Sequence, residues 1–211
     1  MAPGRFITFE GGEGAGKSTQ VRRLADALKG VGVPVCVTRE PGGTPGGEEI
    51  RQLLVRGAAA RWDATTEALL HYAARRDHLQ ALILPSLAAG TWVLSDRFAD
   101  STMAYQGYGH QLGRAPVEQL YALVVGGFRP DLTVILEVPV DDGLRRAAGR
   151  RDGETRYEGM DRAFHERVRD GFRDIARREP KRCHIVDGAA SIEDVHAEIR
   201  HLVGKHLGID L

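Results

Sequence analysis

Eight consecutive residues constrain this chain more than any other stretch. Gly11-Gly12-Glu13-Gly14-Ala15-Gly16-Lys17-Ser18 satisfies the pattern G-x-x-x-x-G-K-S/T in full. The run follows a strand-like segment, Arg5-Phe6-Ile7-Thr8-Phe9-Glu10, and precedes an amphipathic stretch of helical period, the setting in which that pattern forms a phosphate-binding loop. Glycines let successive backbone N–H groups turn inward onto phosphate oxygens, and the amino end of the following helix adds partial positive charge. Lys17 can then reach the outer phosphates of a nucleoside triphosphate, and the Ser18 hydroxyl can join the shell of Mg²⁺. A glycine-rich turn that binds nothing would not need the strand before it and the helix after it.

The rest of the chain alternates in the same way. Apolar, β-rich runs at 5–10, 33–38, 91–95, 131–138 and 183–187 predict strands buried on both faces. Helical periodicity predicts helices near 17–29, 47–56, 65–89, 116–125, 141–150, 160–178 and 192–206. Pro116 suits a first helical turn, Ser191 with Asp194 resembles a capping box, and Pro85 predicts a kink or an early end in the third helix. This rhythm predicts an α/β fold, a parallel sheet between two layers of helices, in one domain over 1–211. Residues 39–47, with two prolines and four glycines, read as a structured loop at the carboxyl end of the second strand, where ligands of such sheets bind.

Composition excludes some classes. Twenty-nine basic and twenty-nine acidic side chains cancel, which argues against a nucleic-acid binder. The two cysteines, Cys36 and Cys183, lie far apart inside apolar runs and predict buried, reduced thiols. No stretch has the length and apolarity of a membrane span, and the opening residues lack a signal-peptide pattern, so a cytoplasmic address is expected.

A phosphate loop serves switches, transporters and kinases alike. A second anion site narrows the choice. Asp96 ends the third predicted strand, where a carboxylate can hold Mg²⁺ through water, and Arg97 beside it is a planar fork suited to phosphate. Upstream, His71 and Arg75 stand four apart on one helix face, a ring and a guanidinium that can stack on and hydrogen-bond a nucleobase. Two anion sites and a base pocket point to phosphoryl transfer from a triphosphate to a second nucleotide. Arg145, Arg146, Arg150, Arg151 and Arg156 fall in or beside an arginine-rich lid near 145–160, expected to be mobile. Phosphoryl transfer spreads negative charge over equatorial oxygens, which cations of this kind can stabilise, and Glu158 could orient Mg²⁺ through water. The acceptor phosphate is itself an anionic nucleophile, so no dedicated general base is required.

Seven segments then carry a resemblance: 9–19, Thr38-Arg39-Glu40-Pro41-Gly42-Gly43-Thr44, Tyr72-Ala73-Ala74-Arg75, Asp96-Arg97-Phe98, Ser101-Thr102, Tyr105-Gln106-Gly107 and Phe128-Arg129-Pro130-Asp131-Leu132-Thr133. In this order they resemble the bacterial thymidylate kinase family of P-loop nucleoside monophosphate kinases, over nearly the whole chain. The resemblance implies a five-stranded parallel sheet, ATP-dependent conversion of dTMP to dTDP with Mg²⁺, and a homodimer. It implies ATP on Gly11, Gly12, Glu13, Gly14, Ala15, Gly16, Lys17, Ser18 and Thr19. Arg146 and the loop at 187–192 would then hold adenine loosely. For the acceptor it implies Arg97 on the phosphate, Arg75 on the thymine carbonyl, Thr102 and Gln106 along the base edge and Ser101 also at this site. With Glu13 leaving the loop without arginine, it implies Arg150 or Arg156 of the lid on the transferring phosphoryl group. Tyr105 would lie under the deoxyribose, where it would crowd a 2′-hydroxyl. Glu13, Glu40 and Pro41 would stand at the acceptor site, the Glu40–Pro41 bond being cis. The family's stacking phenylalanine is replaced by His71, with Tyr72 as the alternative ring, and its Asp-Arg before the final acid of the lid is Thr155-Arg156 here. Rival readings are another small-molecule kinase with a different acceptor and an ATP-driven switch; the Asn-Lys-x-Asp guanine signature of a GTPase does not occur.

Overall fold

All five residues of β1 (Phe6–Glu10) are buried, as the unbroken apolar run predicts for a strand covered on both faces. Ile7 and Phe9 face one layer, while Phe6, Thr8 and Glu10 face the other. The computed structural model describes residues 4–149 and 156–211. Its sheet runs β2 (Val35–Arg39), β3 (Trp92–Asp96), β1, β4 (Leu132–Glu137), β5 (Cys183–Asp187), with every pairing parallel. The order places β1 centrally with β3 and β4 on either side, so the loop after β1 opens at the carboxyl edge between them.

Around the sheet lie α1 (Lys17–Gly30), α2 (Pro45–Val55), α3 (Ala64–His78), α4 (Leu84–Ala88), α5 (Ala99–Thr102), α6 (Arg114–Val124), α7 (Val140–Ala148), α8 (Arg162–Arg178) and α9 (Ile192–Leu207). Val21, Leu24 and Leu28 of α1 meet Val195, Ile199 and Val203 of α9 over Ile7, Phe9, Val134 and Leu136. On the opposite face Tyr72, Tyr105, Phe164, Phe172 and Ile175 pack over Ile135. The termini are capped as the sequence suggests. Ser191 Oγ accepts from Asp194 N at 3.1 Å, and Thr44 Oγ1 accepts from Gly47 N at 3.1 Å with Pro45 in the first turn. Cys183 is buried and Cys36 partly so, and both are free thiols.

Two elements differ from the expected pattern. The helix expected over 65–89 is broken into α3, a wide π-turn at Leu79–Ile83, and α4. Pro85 has no N–H to return to the preceding turn, and the widened turn lies directly upstream of it. Residues 99–109, read only for their motifs, also form a helix: α5 continues as a π-helical stretch, Met103–Gly109. That wide stretch carries Tyr105 and Gln106 inward.

A polar seam crosses the second layer beneath the site. Arg182 clamps Asp100 through Nη1–Oδ2 at 2.7 Å and Nη2–Oδ1 at 2.8 Å, and donates to Thr133 Oγ1 at 2.7 Å, which is itself 2.8 Å from Thr8 Oγ1. Without Asp100, Arg182 would keep Glu179 but lose two charge-assisted hydrogen bonds in a largely buried setting, a cost of about 3 kcal/mol. Asp100→Ala is therefore expected to lower the calorimetric Tm by roughly 6–12 °C, at 2–4 °C per kcal/mol for a chain of this size.

Candidate active site

The turn after β1 is possible only with glycine at its tightest points. Gly11 has φ +131°, and a Cβ there would stand 2.2 Å from Leu136 O. Gly14 has φ +65°, and its Cβ would meet Gly143 O at 2.0 Å. The loop thus lies directly on β4 and α7, its N–H groups gathered at the start of α1. Lys17 Nζ curls over it, donating to Gly12 O at 2.7 Å and Gly11 O at 3.1 Å. Ser18 Oγ donates to Asp96 Oδ2 at 2.5 Å, so the hydroxyl of the loop and the carboxylate at the end of β3 converge.

Arg97 follows with φ +73°, a left-handed conformation uncommon for a non-glycine residue. This turn carries its guanidinium back across the strand ends. It donates to Gly11 O at 2.9 Å, Ser101 Oγ at 3.1 Å, Glu13 Oε1 at 2.9 Å and Tyr105 Oη at 3.1 Å. Tyr105 in turn donates to Glu13 at 2.8 Å. Wholly buried Glu10 pins the loop from below, accepting from Phe98 N at 2.8 Å and Ser101 Oγ at 2.5 Å. Burial, with the nearby Asp100 charge, pushes the Glu10 carboxyl up to about 7.

Arg75 is buried between the rings of Tyr72 and Phe98. Its Nε donates to Glu40 Oε2 at 2.7 Å, and Nη2 donates to Phe98 O and Thr102 Oγ1, both at 3.0 Å. Glu40 also meets His78 Nδ1 at 3.0 Å, and the Glu40–Pro41 peptide is cis. Burial alone would raise the Glu40 carboxyl, but the Arg75 and His78 partners overcome it and hold it below the usual range. Arg75 Nη1 and Gln106 Oε1 are left buried without a hydrogen-bond partner.

A cavity of about 410 Å³ opens between the loop after β1 and Arg97. Glu13, Gly16, Lys17, Ser18, Thr19 and Asp96 line the side nearest that loop; Glu40, Pro41, His71, Arg97, Ser101, Tyr105 and Gln106 line the other. Arg75 and Thr102, both 1% exposed, lie behind the lining. Glu158 borders it too, as do Tyr157, Arg39 and Arg51, which motif reading did not select. Arg146 lies against Gly14 of the loop and donates to Gly188 O at 3.1 Å, bringing it to the turn after β5 where adenine contacts were expected.

Two expectations are corrected. Tyr72, the alternative stacking ring, is 1% exposed, donates to Val117 O at 3.2 Å, and packs in the core rather than on the cavity, because one residue's step turns it about 100° around α3 from His71. Arg156, one of the two arginines expected on the transferring phosphoryl, is 2% exposed and committed elsewhere. It pairs with buried Glu67 and donates to the carbonyls of Leu54, Ala58 and Ala59 at 3.1, 3.2 and 3.0 Å. Every arm of that guanidinium already has a partner, and freeing it would strand the Glu67 charge. Arg150, the other, lies outside the described residues, as does 151–155 of the expected lid.

The resulting geometry sets two cationic side chains, Lys17 and Arg97, along one cavity at the carboxyl edge of the sheet. A family model for thymidylate kinase matches residues 9–199. The chain belongs to the thymidylate kinase family. Thymidylate kinase of Caulobacter vibrioides is 57% identical over 212 residues, covering 99% of this chain and 100% of that protein. That of Ruegeria pomeroyi is 48% identical over 204 residues, covering 97% and 96% respectively. The crystal structure of thymidylate kinase from Ehrlichia chaffeensis superposes with a TM-score of 0.79 at 37% identity, covering 96% of this chain and 100% of that one. This likeness and the all-parallel sheet bear out the expected fold.

Within that thymidylate kinase frame, His71 is the departure. Tyr157 Oη gives its proton to Glu67 Oε1 at 2.8 Å, so His71 Nε2, 2.9 Å from the same oxygen, must be the donor to it. Burial, helped by the Arg75 and Arg97 charges, lowers the imidazole to about 4. A histidine whose folded pKa lies below its unfolded value supports stability above about 6.5 and loses it as the pH falls towards 4. Between pH 7 and 5 the loss is about 2 kcal/mol, so His71→Phe is expected to shift Tm relative to wild type by roughly 4–8 °C in its own favour over that interval. Parallel melting curves would show no such divergence if the ring were exposed.

Proposed function

We propose that the cavity holds ATP on the Lys17 side and dTMP on the Arg97 side, and that the chain transfers the γ-phosphoryl group from one to the other, giving ADP and dTDP. The observation that carries this reading is the pair of unpartnered buried groups, a donor at Arg75 Nη1 and an acceptor at Gln106 Oε1. A buried group left without a partner calls for a ligand. Thymine offers the complement, a C4 carbonyl that accepts and an N3–H that donates; cytosine presents the reverse. His71 borders this recess, where the ring can lie against the base, with Thr102 and Ser101 beside it.

Arg97 holds the acceptor phosphate, and Tyr105, fixed by Arg97 and Glu13, lies where a 2′-hydroxyl would crowd it. An acceptor phosphate oxygen forms the new bond to the γ-phosphorus while the bond to the β,γ-bridging oxygen breaks and ADP leaves. Lys17 and the loop N–H groups stabilise charge on the transferred oxygens. The nucleophile is already anionic, so no side chain needs to take a proton. The Ser18–Asp96 pair beside the cradle is an all-oxygen donor set of the sort Mg²⁺ takes with nucleotide phosphates. Ser18, Asp96 and Glu158 would hold the ion, which when bound neutralises phosphate charge. Tyr157 and Glu158 wall the cavity and keep water from replacing the acceptor. With Arg156 committed to Glu67, Arg150 carries the remaining expectation of a lid cation on the phosphoryl group. Arg146 and the turn at 187–192 hold adenine.

Purified protein with ATP and a panel of monophosphates tests the reading. ADP should form fastest with dTMP. Turnover of dTMP no faster than UMP, CMP or GMP would favour a kinase for another acceptor, and equal ADP release without any acceptor would favour a switch. A homodimer is supported by Leu69 of α3 and Leu123 of α6, apolar side chains 51% and 82% exposed on neighbouring helices. Sedimentation at twice 23.1 kDa would agree with it. Among the described residues no helix is long and apolar enough to cross a membrane, which is compatible with a cytoplasmic address.

A further inference from the structure

One carboxylate at the foot of the base recess gathers an unusual number of donors. Glu67, wholly buried on α3, pairs with Arg156, accepts from Tyr157 Oη at 2.8 Å and from Gln106 Nε2 at 2.6 Å, and stands 3.3 Å from His110 Nε2. Burial opposes its charge, but the neighbouring His110 and His71 rings and the Arg156 guanidinium outweigh that and hold the carboxyl at about 2. An ionised carboxylate only accepts. The Gln106 amide must therefore turn its NH₂ towards Glu67; the opposite orientation would set two acceptor oxygens 2.6 Å apart. Gln106 Oε1 is left as the buried acceptor with no partner, in a residue that lines the acceptor side of the cavity.

We propose that Glu67 is a positioning residue that fixes the polarity of the Gln106 amide and so determines which pyrimidine edge the pocket accepts. The inference rests on the acceptor reading above and deepens it. Glu67 does not touch substrate. It acts by denying Gln106 the orientation in which NH₂ would face the base, the orientation that would suit N3 of cytosine. The same carboxylate anchors Arg156 and Tyr157, so the segment entering the cavity wall and the base reader share one support.

The variant Glu67→Gln keeps the shape but can present either an oxygen or an NH₂ to Gln106, which frees the amide to turn. The ratio of kcat/KM for dTMP to that for dCMP is expected to fall at least tenfold, mainly through KM for the monophosphate, with KM for ATP unchanged. Glu67→Asp, still an acceptor only, should keep most of the ratio. A Glu67→Gln protein that loses Tm or kcat but retains the wild-type ratio would reduce Glu67 to a structural anchor. Should that variant not fold, the wild-type enzyme decides by NMR. On saturation with dTMP the Gln106 NH₂ protons should stay protected and show no contact with the base, whereas cross-relaxation from those protons to the base would overturn the proposal. Failure of the underlying reading looks different: the wild type itself would not turn over dTMP in preference to dCMP.

Discussion

Lys17→Ala is expected to lower kcat by about 10²–10³-fold or more, the range that follows loss of one preorganised charge-stabilising group at a reacting centre. In the described geometry the ammonium is 7% exposed and held by two carbonyls of the phosphate loop, so it is positioned before nucleotide arrives. Negative charge on the transferred phosphoryl oxygens would find the loop N–H groups but not the ammonium that lies over them. The fold should survive, because alanine is a strong helix former at the first position of α1. A steady-state assay with saturating ATP and dTMP, run beside a thermal melt, separates the two effects. Turnover within tenfold of wild type would remove Lys17 from the reaction.

Arg97→Ala should act on the other substrate. Charge-assisted hydrogen bonds contribute about 1.5–3 kcal/mol each, and an arginine can make two to one phosphate, so KM for dTMP is expected to rise by about 10²-fold or more. KM for ATP should change by only a few fold. The expected asymmetry has a structural source. Arg97 is the partner of Glu13 and Tyr105, and its removal takes from the acceptor side the guanidinium that stands against the Glu13 carboxylate. Arg97→Lys should recover part of the loss, since a point charge replaces the planar fork. Equal rises in both KM values would place Arg97 between the substrates rather than on the acceptor.

The phosphate loop, the strand before it and the helix after it were legible because their constraints are local. Backbone turns with positive φ demand glycine at Gly11 and Gly14, and a run of buried β-branched and aromatic residues declares a two-faced strand. Glu67 was harder to see. It lies four residues before His71 on α3, and an acid in a helix ordinarily faces solvent. Only the packing of α5, its π-helical continuation and the segment at 156–157 against that face turns it into a buried hub. Arg156 was misjudged for the same reason: an arginine in a charged stretch reads as available, but here four partners consume it. Tyr72 and His71 are adjacent in sequence and diverge by about 100° around one helix, so choosing between them needed the packing of α3.

What the amino-acid order determined by itself is the phosphate cradle, the alternation that builds a parallel sheet, and the identity of the two cations that face each other across it. These depend on neighbours within a turn or a strand, where backbone geometry permits few alternatives. Only the tertiary structure decided which arginines are spent on the protein's own carboxylates and which buried polar atoms are left for a ligand. That assignment depends on contacts between residues 35–102 positions apart, where desolvation makes each unpaired group costly.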